Sequence, residues 1–170
     1  REKHPNLSIE IYSEPTHQIV RKLNDFSLDA GILYFDDGDP ETTVKLYEER
    51  YVFIAPKSLA VSKERQITWT EVAQIPLCLL TQNMKNRQLL DRHFLDLGIS
   101  PSIVTEASDF TAVLAQVAAG NAATIAPVSV AQTFLDLKST KQLDLIRPVF
   151  THSVGLSIKD QSPVLPMIEA

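Results

Sequence analysis

The chain is poor in the residues that most often announce chemistry. It carries one cysteine, Cys78, among 170 residues, so an intramolecular disulfide and a cysteine-based zinc cluster are excluded. A reducing compartment, the cytoplasm, is the expectation. The four histidines, His4, His17, His93 and His152, lack a second histidine or a carboxylate at ligand spacing on a recognisable helix, so no metal is expected. Five glycines form no Gly-x-Ser-x-Gly elbow, no phosphate-binding loop and no dinucleotide fingerprint. Neither an enzyme nor a cofactor-binding protein is indicated. Positive charge is short as well: 16 Lys and Arg face 21 Asp and Glu, a formal net charge of -5. No basic cluster is interleaved with aromatics, so this stretch is not expected to bind nucleic acid directly. No apolar run is long enough to cross a membrane, and the start Arg1-Glu2-Lys3-His4 leads into no signal-peptide core, so no membrane partner is expected.

What is present reads as an ordinary globular composition with alternating strand and helix patterns. Leu7 to Tyr12 alternates apolar and polar side chains, the pattern of a half-buried strand. Ser13-Glu14-Pro15 then opens a helix carrying Ile19, Val20 and Leu23, and Ala30 to Phe35 is a continuous apolar run expected to be a strand covered on both faces. Asp36-Asp37-Gly38-Asp39-Pro40 is a turn cluster that lacks the acid spacing of a calcium loop. Leu46 to Ala55 reads as one long strand, or two joined by a kink, and Thr68-Trp69-Thr70-Glu71 as a capping box opening a short helix that stops before Pro76.

The second stretch follows the same grammar. Leu77 to Thr81 is a buried strand, and Asn83 caps a helix through Leu90, Phe94 and Leu97 up to Gly98. Ile103 to Ala107 is a strand, and Ser108 or Asp109 caps a helix through Val113, Leu114 and Val117 that ends at Gly120. Ala123 to Pro127 is a further strand, and Ser129 to Gln132 is a capping-box start. Leu143 to Val149 and Val154 to Ile158 read as strands, before a last helix near Pro163. Pro5 to Ile32 and Pro101 to Ala126 share one order of strand, capped helix and strand, so two similar halves are an expectation. In parallel α/β sheets ligands sit at the carboxyl ends of strands, against helix N-termini, which places a binding cleft between two such halves.

That rule selects the candidate site. Thr81, Gln82 and Asn83 follow a buried strand and open a helix, a place where unpaired N–H groups and the helix dipole suit an anion; capping alone would use the same residues. Tyr34 at the end of an opposing strand and Ser108 at the next helix start complete the set. Arg50 is a weaker candidate, because beside Glu48 and Glu49 it suits a surface ion pair. Cys78, inside an apolar strand with no base nearby, reads as an inert buried thiol.

Several blocks, in order and over nearly the whole chain, carry a resemblance. Leu46-Tyr47-Glu48-Glu49-Arg50-Tyr51-Val52-Phe53-Ile54-Ala55-Pro56, with Leu59-Ala60 and Ile67 to Ala73 after it, resembles the middle of the effector-binding domain of LysR-type transcriptional regulators. His4-Pro5-Asn6-Leu7 with Leu28 to Ile32 is similar to that family's first lobe. Gly98-Ile99-Ser100-Pro101, Val117 to Gly120 and Ile125-Ala126-Pro127 are similar to its second. The resemblance implies a type 2 periplasmic-binding-protein-like α/β fold, two Rossmann-like lobes joined by two crossovers. Lobe I would be residues 1–55 plus 152–170, with its first strand missing, and lobe II residues 56–151. It also implies a small, often anionic effector in the interlobe cleft, a homodimer or, at full length, a tetramer, and DNA binding only through an N-terminal winged helix-turn-helix absent here. In the family, the end of a helix before Pro5 with the strand corresponding to Leu7–Tyr12 meets the helix corresponding to Asn83–Leu97 with the strand corresponding to Ser102–Ala107 across an antiparallel dimer, lobe I of one chain against lobe II of the other; His93, Phe94 and Leu97 could supply apolar surface there, though Phe94 better suits the core. A transporter's solute-binding protein of the same fold is the alternative, distinguished by a secretion signal in place of the winged helix.

Overall fold

The computed structural model describes residues 4–35, 44–59, 65–134 and 138–158. Helix α1 (Thr16–Asn24) precedes strand β1 (Gly31–Phe35) and the long strand β2 (Val44–Pro56). Then come β3 (Gln66–Thr68), α2 (Trp69–Ala73), β4 (Leu77–Leu80), α3 (Lys85–Asp96), β5 (Ile103–Ala107), α4 (Phe110–Ala118), β6 (Thr124–Pro127), α5 (Val128–Phe134), β7 (Thr140–Ile146) and β8 (Thr151–Ser157).

Strand β2 organises the molecule because it changes partners along its length. Its first half pairs antiparallel with β8, from Val44 opposite Leu156 to Arg50 opposite Thr151, and β8 in turn pairs with β1. From Tyr51 on, β2 pairs antiparallel with β6, and from Val52 with β7, which carries β3 in parallel at its far edge. Strands β4 and β5 pair in parallel, and Cys78 N donates to Ala123 O at 2.8 Å, setting β4 beside β6.

Strand alternation decides which helix covers which face. Tyr51, Phe53 and Ala55 share one face with Trp69, Val72, Leu90, Phe94 and Phe150. Val52 and Ile54 share the other with Leu114, Val117, Ala126 and Ala131. Burial of each large side chain in these layers is worth about 1.5–3 kcal/mol. Trp69 leaves no stranded donor, because its Nε1–H reaches Pro148 O at 2.9 Å and pins the return segment between β7 and β8. The Thr68 capping box forms as expected, with Glu71 N donating to Thr68 Oγ1 and Thr68 N to Glu71 Oε2. That carboxylate is held below its ordinary pKa chiefly by the Thr68 side-chain hydrogen bond.

Several expectations are corrected. Residues 7–12 join no strand: Ile9 is 71% and Ile11 90% exposed, because an alternating pattern becomes a strand only where a ladder partner accepts its backbone groups. The run ending at Phe35 is not covered on both faces: Leu33 is buried, but Ile32 is 64% exposed. Ser129 lies inside α5 rather than capping it, and its hydroxyl donates to Glu49 Oε2 at 2.8 Å, across to β2. The turn cluster 36–40, Ala60 and the helix near Pro163 lie outside the described residues.

Candidate functional site

The ends of β4 and β5 bring two of the expected residues side by side. Leu80 pairs with Ala107, and Thr81 N donates to Ala107 O at 3.0 Å, so Thr81 and Ser108 leave the two strands together. Asn83 is not the helix cap that its type suggests. Helix α3 starts at Lys85 with Met84 at the cap position and no capping side chain, while Asn83 Oδ1 accepts the Thr81 hydroxyl at 2.8 Å. A two-residue turn satisfies both polar side chains locally, and the first N–H groups of α3 go without a side-chain acceptor. Gln82 and Asn83 are exposed, and Gln82 O accepts from Gln88 Nε2 at 3.1 Å. Asp109, not Ser108, caps α4, its Oδ1 accepting from Ala112 N at 2.9 Å; Ser108 stays exposed.

Arg87 fixes this end of the site. Its side chain is only 4% exposed, yet it donates to Leu80 O at 2.8 Å, to Asp91 at 2.7 Å and to Glu106. One guanidinium thus ties α3 to the last residue of β4 and to β5. Its fork geometry serves three acceptors that a lysine could not match.

Tyr51, beside Tyr34, meets the same helix. Asn86, in the first turn of α3, donates its Nδ2–H to Tyr51 Oη at 2.9 Å in a buried contact. The Tyr34 ring lies 6.5 Å from that of Tyr51. The three side chains come from β1, from the partner-changing point of β2 and from α3. Burial raises both phenol pKa values, so neither ionises near neutral pH. Of the five expected residues, Thr81, Gln82, Asn83 and Ser108 cluster at the β4/β5 ends. Tyr34 lies beside Tyr51, whose hydroxyl accepts from Asn86 in the first turn of α3.

Arg50 pairs with Asp144 at 3.1 Å rather than with its glutamate neighbours, both side chains being about half exposed, so the pair contributes little. Glu49, in contrast, is buried and accepts from Ser129 and, at 3.4 Å, from Tyr47 Oη. Along α3, Lys85, Gln88, Leu89, Arg92, His93 and Asp96 line a groove of about 610 Å³ closed by Phe150 and His152. Burial and the nearby His152 charge push the His93 pKa down. Among the described residues no three His, Cys, Asp or Glu side chains are placed to hold a metal ion, and no helix is long and apolar enough to cross a membrane.

Tyr51, Asn86, Arg87, Glu49 and Ser129 were not singled out as site residues from sequence. A signal existed for Asn86: with Leu90 and Phe94 it falls at i, i+4 and i+8, a polar residue on the inward stripe of an amphipathic helix. Glu49 and Ser129 are 80 residues apart and depend wholly on the fold.

Comparison with known proteins follows from this architecture. The sequence pattern of the LysR substrate binding domain matches residues 1–170. The effector-binding domain of QuiR, solved with shikimate, superposes with a TM-score of 0.81 at 19% identity, over 99% of this chain and 79% of that one. The regulatory domain of CcmR from Synechocystis, solved with 2-PG, gives 0.85 at 11% identity, over 99% and 81%. Full-length OxyR from Pseudomonas aeruginosa gives 0.82 at 20% identity, over 99% of this chain and 55% of that one. The chain thus spans about half of that full-length regulator. At these identities the structural likeness establishes the type 2 periplasmic-binding-protein-like fold, and the sequence match over the whole chain establishes the family: this chain belongs to the LysR substrate-binding domain family, the effector-binding domains of LysR-type transcriptional regulators.

Proposed function

We propose that this domain senses a small organic anion in a cleft bounded by Thr81, Gln82, Asn83 and Ser108 on one side and Tyr34 on the other. Occupancy of that cleft sets the DNA binding of the regulator to which the domain belongs. The observation that carries the reading is the convergence of two parallel strand ends with the uncapped start of α3, directly beside the Tyr34–Tyr51–Asn86 cluster. Unpaired N–H groups at a helix start, with hydroxyls beside them, form a site of positive potential for a carboxylate or oxyanion. The moving parts are lobe I, residues 1–55 with 152–170, and lobe II, residues 56–151. The change of partners along β2 and the return into β8 support this division. DNA contact is assigned to a winged helix-turn-helix outside this sequence and the site of action to the cytoplasm. The effectors named with QuiR and CcmR, shikimate and 2-PG, head the panel of candidate ligands.

A thiol-based response has less support, since the only cysteine, Cys78, is fully buried and burial raises its thiol pKa. Assembly is proposed as a homodimer through the outer side of α3 and β5. Phe94 is internal at 2% exposure, so Leu95 at 77% and Val104 at 56% provide the apolar surface instead. Sedimentation at rising concentration tests this, and a strictly monomeric species would refute it.

Calorimetry with a panel of small organic acids tests the cleft. A ligand at a hundred times its Kd raises stability by about 2.7 kcal/mol. The double change Thr81→Val with Ser108→Ala is expected to weaken binding at least tenfold. Binding left unchanged by this pair and by Tyr34→Phe would overturn the assignment.

A further inference from the structure

Helix α3 shows the rest of the molecule three faces. Asn86, Leu90 and Phe94 are buried against the core, and Arg87 turns to Asp91 and Glu106. The remaining flank carries Lys85, Leu89, Arg92 and His93, and it faces Phe150 and His152 across the groove of about 610 Å³. That volume lies within the roughly 300–1,000 Å³ typical of small-molecule sites. The wall opposite the helix is aromatic and held in place. Phe150 is 5% exposed, its ring 4.4 Å from that of His93 and 4.7 Å from that of His152, and His93 lies 4.3 Å from Trp69. The rim is cationic. Lys85 and Arg92 stand seven residues apart on one side of the helix, two turns or about 10 Å along its axis. Neither makes a hydrogen bond or ion pair with another described residue, whereas Lys22, Arg50 and Arg87 each have a carboxylate partner. Among the described residues Asp96 is the one carboxylate lining the groove, and His93, its pKa lowered chiefly by burial, adds no charge near neutral pH.

We propose that this groove is a second ligand site, beside the cleft at the β4 and β5 ends, for a small aromatic carboxylate whose ring lies against Phe150 and whose carboxylate is held by Arg92 and Lys85. The groove shares no lining residue with the cleft, so the second site stands or falls independently of it. Each half of such a ligand meets its chemical match. An aromatic ring finds in Phe150 and His93 offset or edge-on partners as it leaves water. A carboxylate meets the planar fork of Arg92, which can donate two parallel N–H bonds, and the point charge of Lys85. The same groove disfavours an ammonium group, which would approach two cations with only Asp96 to receive it. An acid as short as acetate brings the charge without the apolar area. One wall belongs to α3 and the other to the segment entering β8, so a ligand between them ties these elements together.

The test titrates phenylacetate into the ¹⁵N-labelled chain, with acetate as the control for charge alone and benzylammonium for a ring of opposite charge. Phenylacetate is expected to shift the Leu89, Arg92 and His93 amides saturably in the millimolar range. Its ring protons should give nuclear Overhauser contacts to the Phe150 ring. Neither control should saturate these signals over the same range. Arg92→Gln, a change at an exposed residue, should weaken phenylacetate about tenfold, the scale of a hydrogen bond to a charged group. Lys85→Gln and Phe150→Leu should each weaken it several-fold. If the buried Phe150→Leu change prevents folding, Arg92→Gln and the Overhauser contacts carry the test. Shifts confined to Thr81 and Ser108 would place the ligand in the cleft and overturn the second site. Binding that survives both Arg92→Gln and Lys85→Gln unchanged overturns it as well, as do a control bound as tightly as phenylacetate and the lack of any saturable shift.

Discussion

The two strand–helix–strand units of this chain share one sequence grammar and meet different fates. In the first, residues 7–12 form no strand, α1 buries only Leu23, and Ile32 on β1 faces outward. In the second, β5 pairs along its length with the fully buried β4, every residue of β6 is buried, and α4 buries Val113, Leu114 and Val117. Local pattern is nearly equal in both, so it is not what separates them. The second unit lies against β2 and β4, which supply partners for its backbone groups, whereas Leu7 to Tyr12 joins no strand. Strand propensity is a statement about fitting a pleated, half-covered surface, and the surface must exist.

The largest expected effect sharpens this contrast. Leu79→Ala in β4, where the side chain is 1% exposed, should cost about 2–5 kcal/mol through lost transfer energy and a residual cavity. Ile11→Ala, at 90% exposure, should stay within about 0.5 kcal/mol. Chemical denaturation of both variants decides the matter. A comparable loss at Ile11 would mean that the first unit is paired in solution after all.

Next in size is Gly31→Ala, which asks whether α1 is docked on β1. The added methyl would lie 2.8 Å from Ile19 Cγ2 and 3.1 Å from Leu23 Cδ1. An overpacking cost of about 1–3 kcal/mol is expected; a neutral result would show that α1 can give way and that the first unit is looser still. In the second region Thr68→Ala removes the capping box of α2 and should lower stability by about 1 kcal/mol, read from the urea midpoint.

The smallest effect is on pH. His93 has its folded-state pKa lowered, chiefly by burial and then by His152, against an opposing pull from Asp96. The unfolded chain therefore binds the proton more readily, and stability falls as pH drops below about 6.5, the ordinary histidine value. His93→Phe keeps an aromatic ring against Trp69 and Phe150, whose centroids lie 4.3 and 4.4 Å away. It should flatten the decline in the urea midpoint between pH 7.5 and 5.5. An unchanged slope would assign the acid sensitivity to other groups.

Much of this architecture was legible in advance because it depends on local rules. The capping box at Thr68, the helix stops at Gly98 and Gly120, both at positive φ, and the long strand through Tyr51 all follow from propensity and periodicity. The site was legible only in outline. Strand ends pointed to Thr81 and Ser108, but the polar turn after β4 led to Asn83 as a cap. Neither Thr81 nor Asn83 serves that purpose, since a hydroxyl and an amide two residues apart satisfied each other first. Arg50 looked like part of a local glutamate cluster until β7 supplied Asp144.

By itself the sequence determined the order and type of most elements, the face each helix buries and the blocks that mark the family. These depend on residues within a few positions of one another, where covalent geometry already limits the outcomes. Tertiary structure alone decided that β2 would serve two sets of partners, that Glu49 would meet Ser129, and that Asn86 would donate to Tyr51. Such contacts join residues separated by tens of positions, and no local pattern encodes them. They form because burying two sheet faces brings these polar groups out of water together, where each must find a partner among the others.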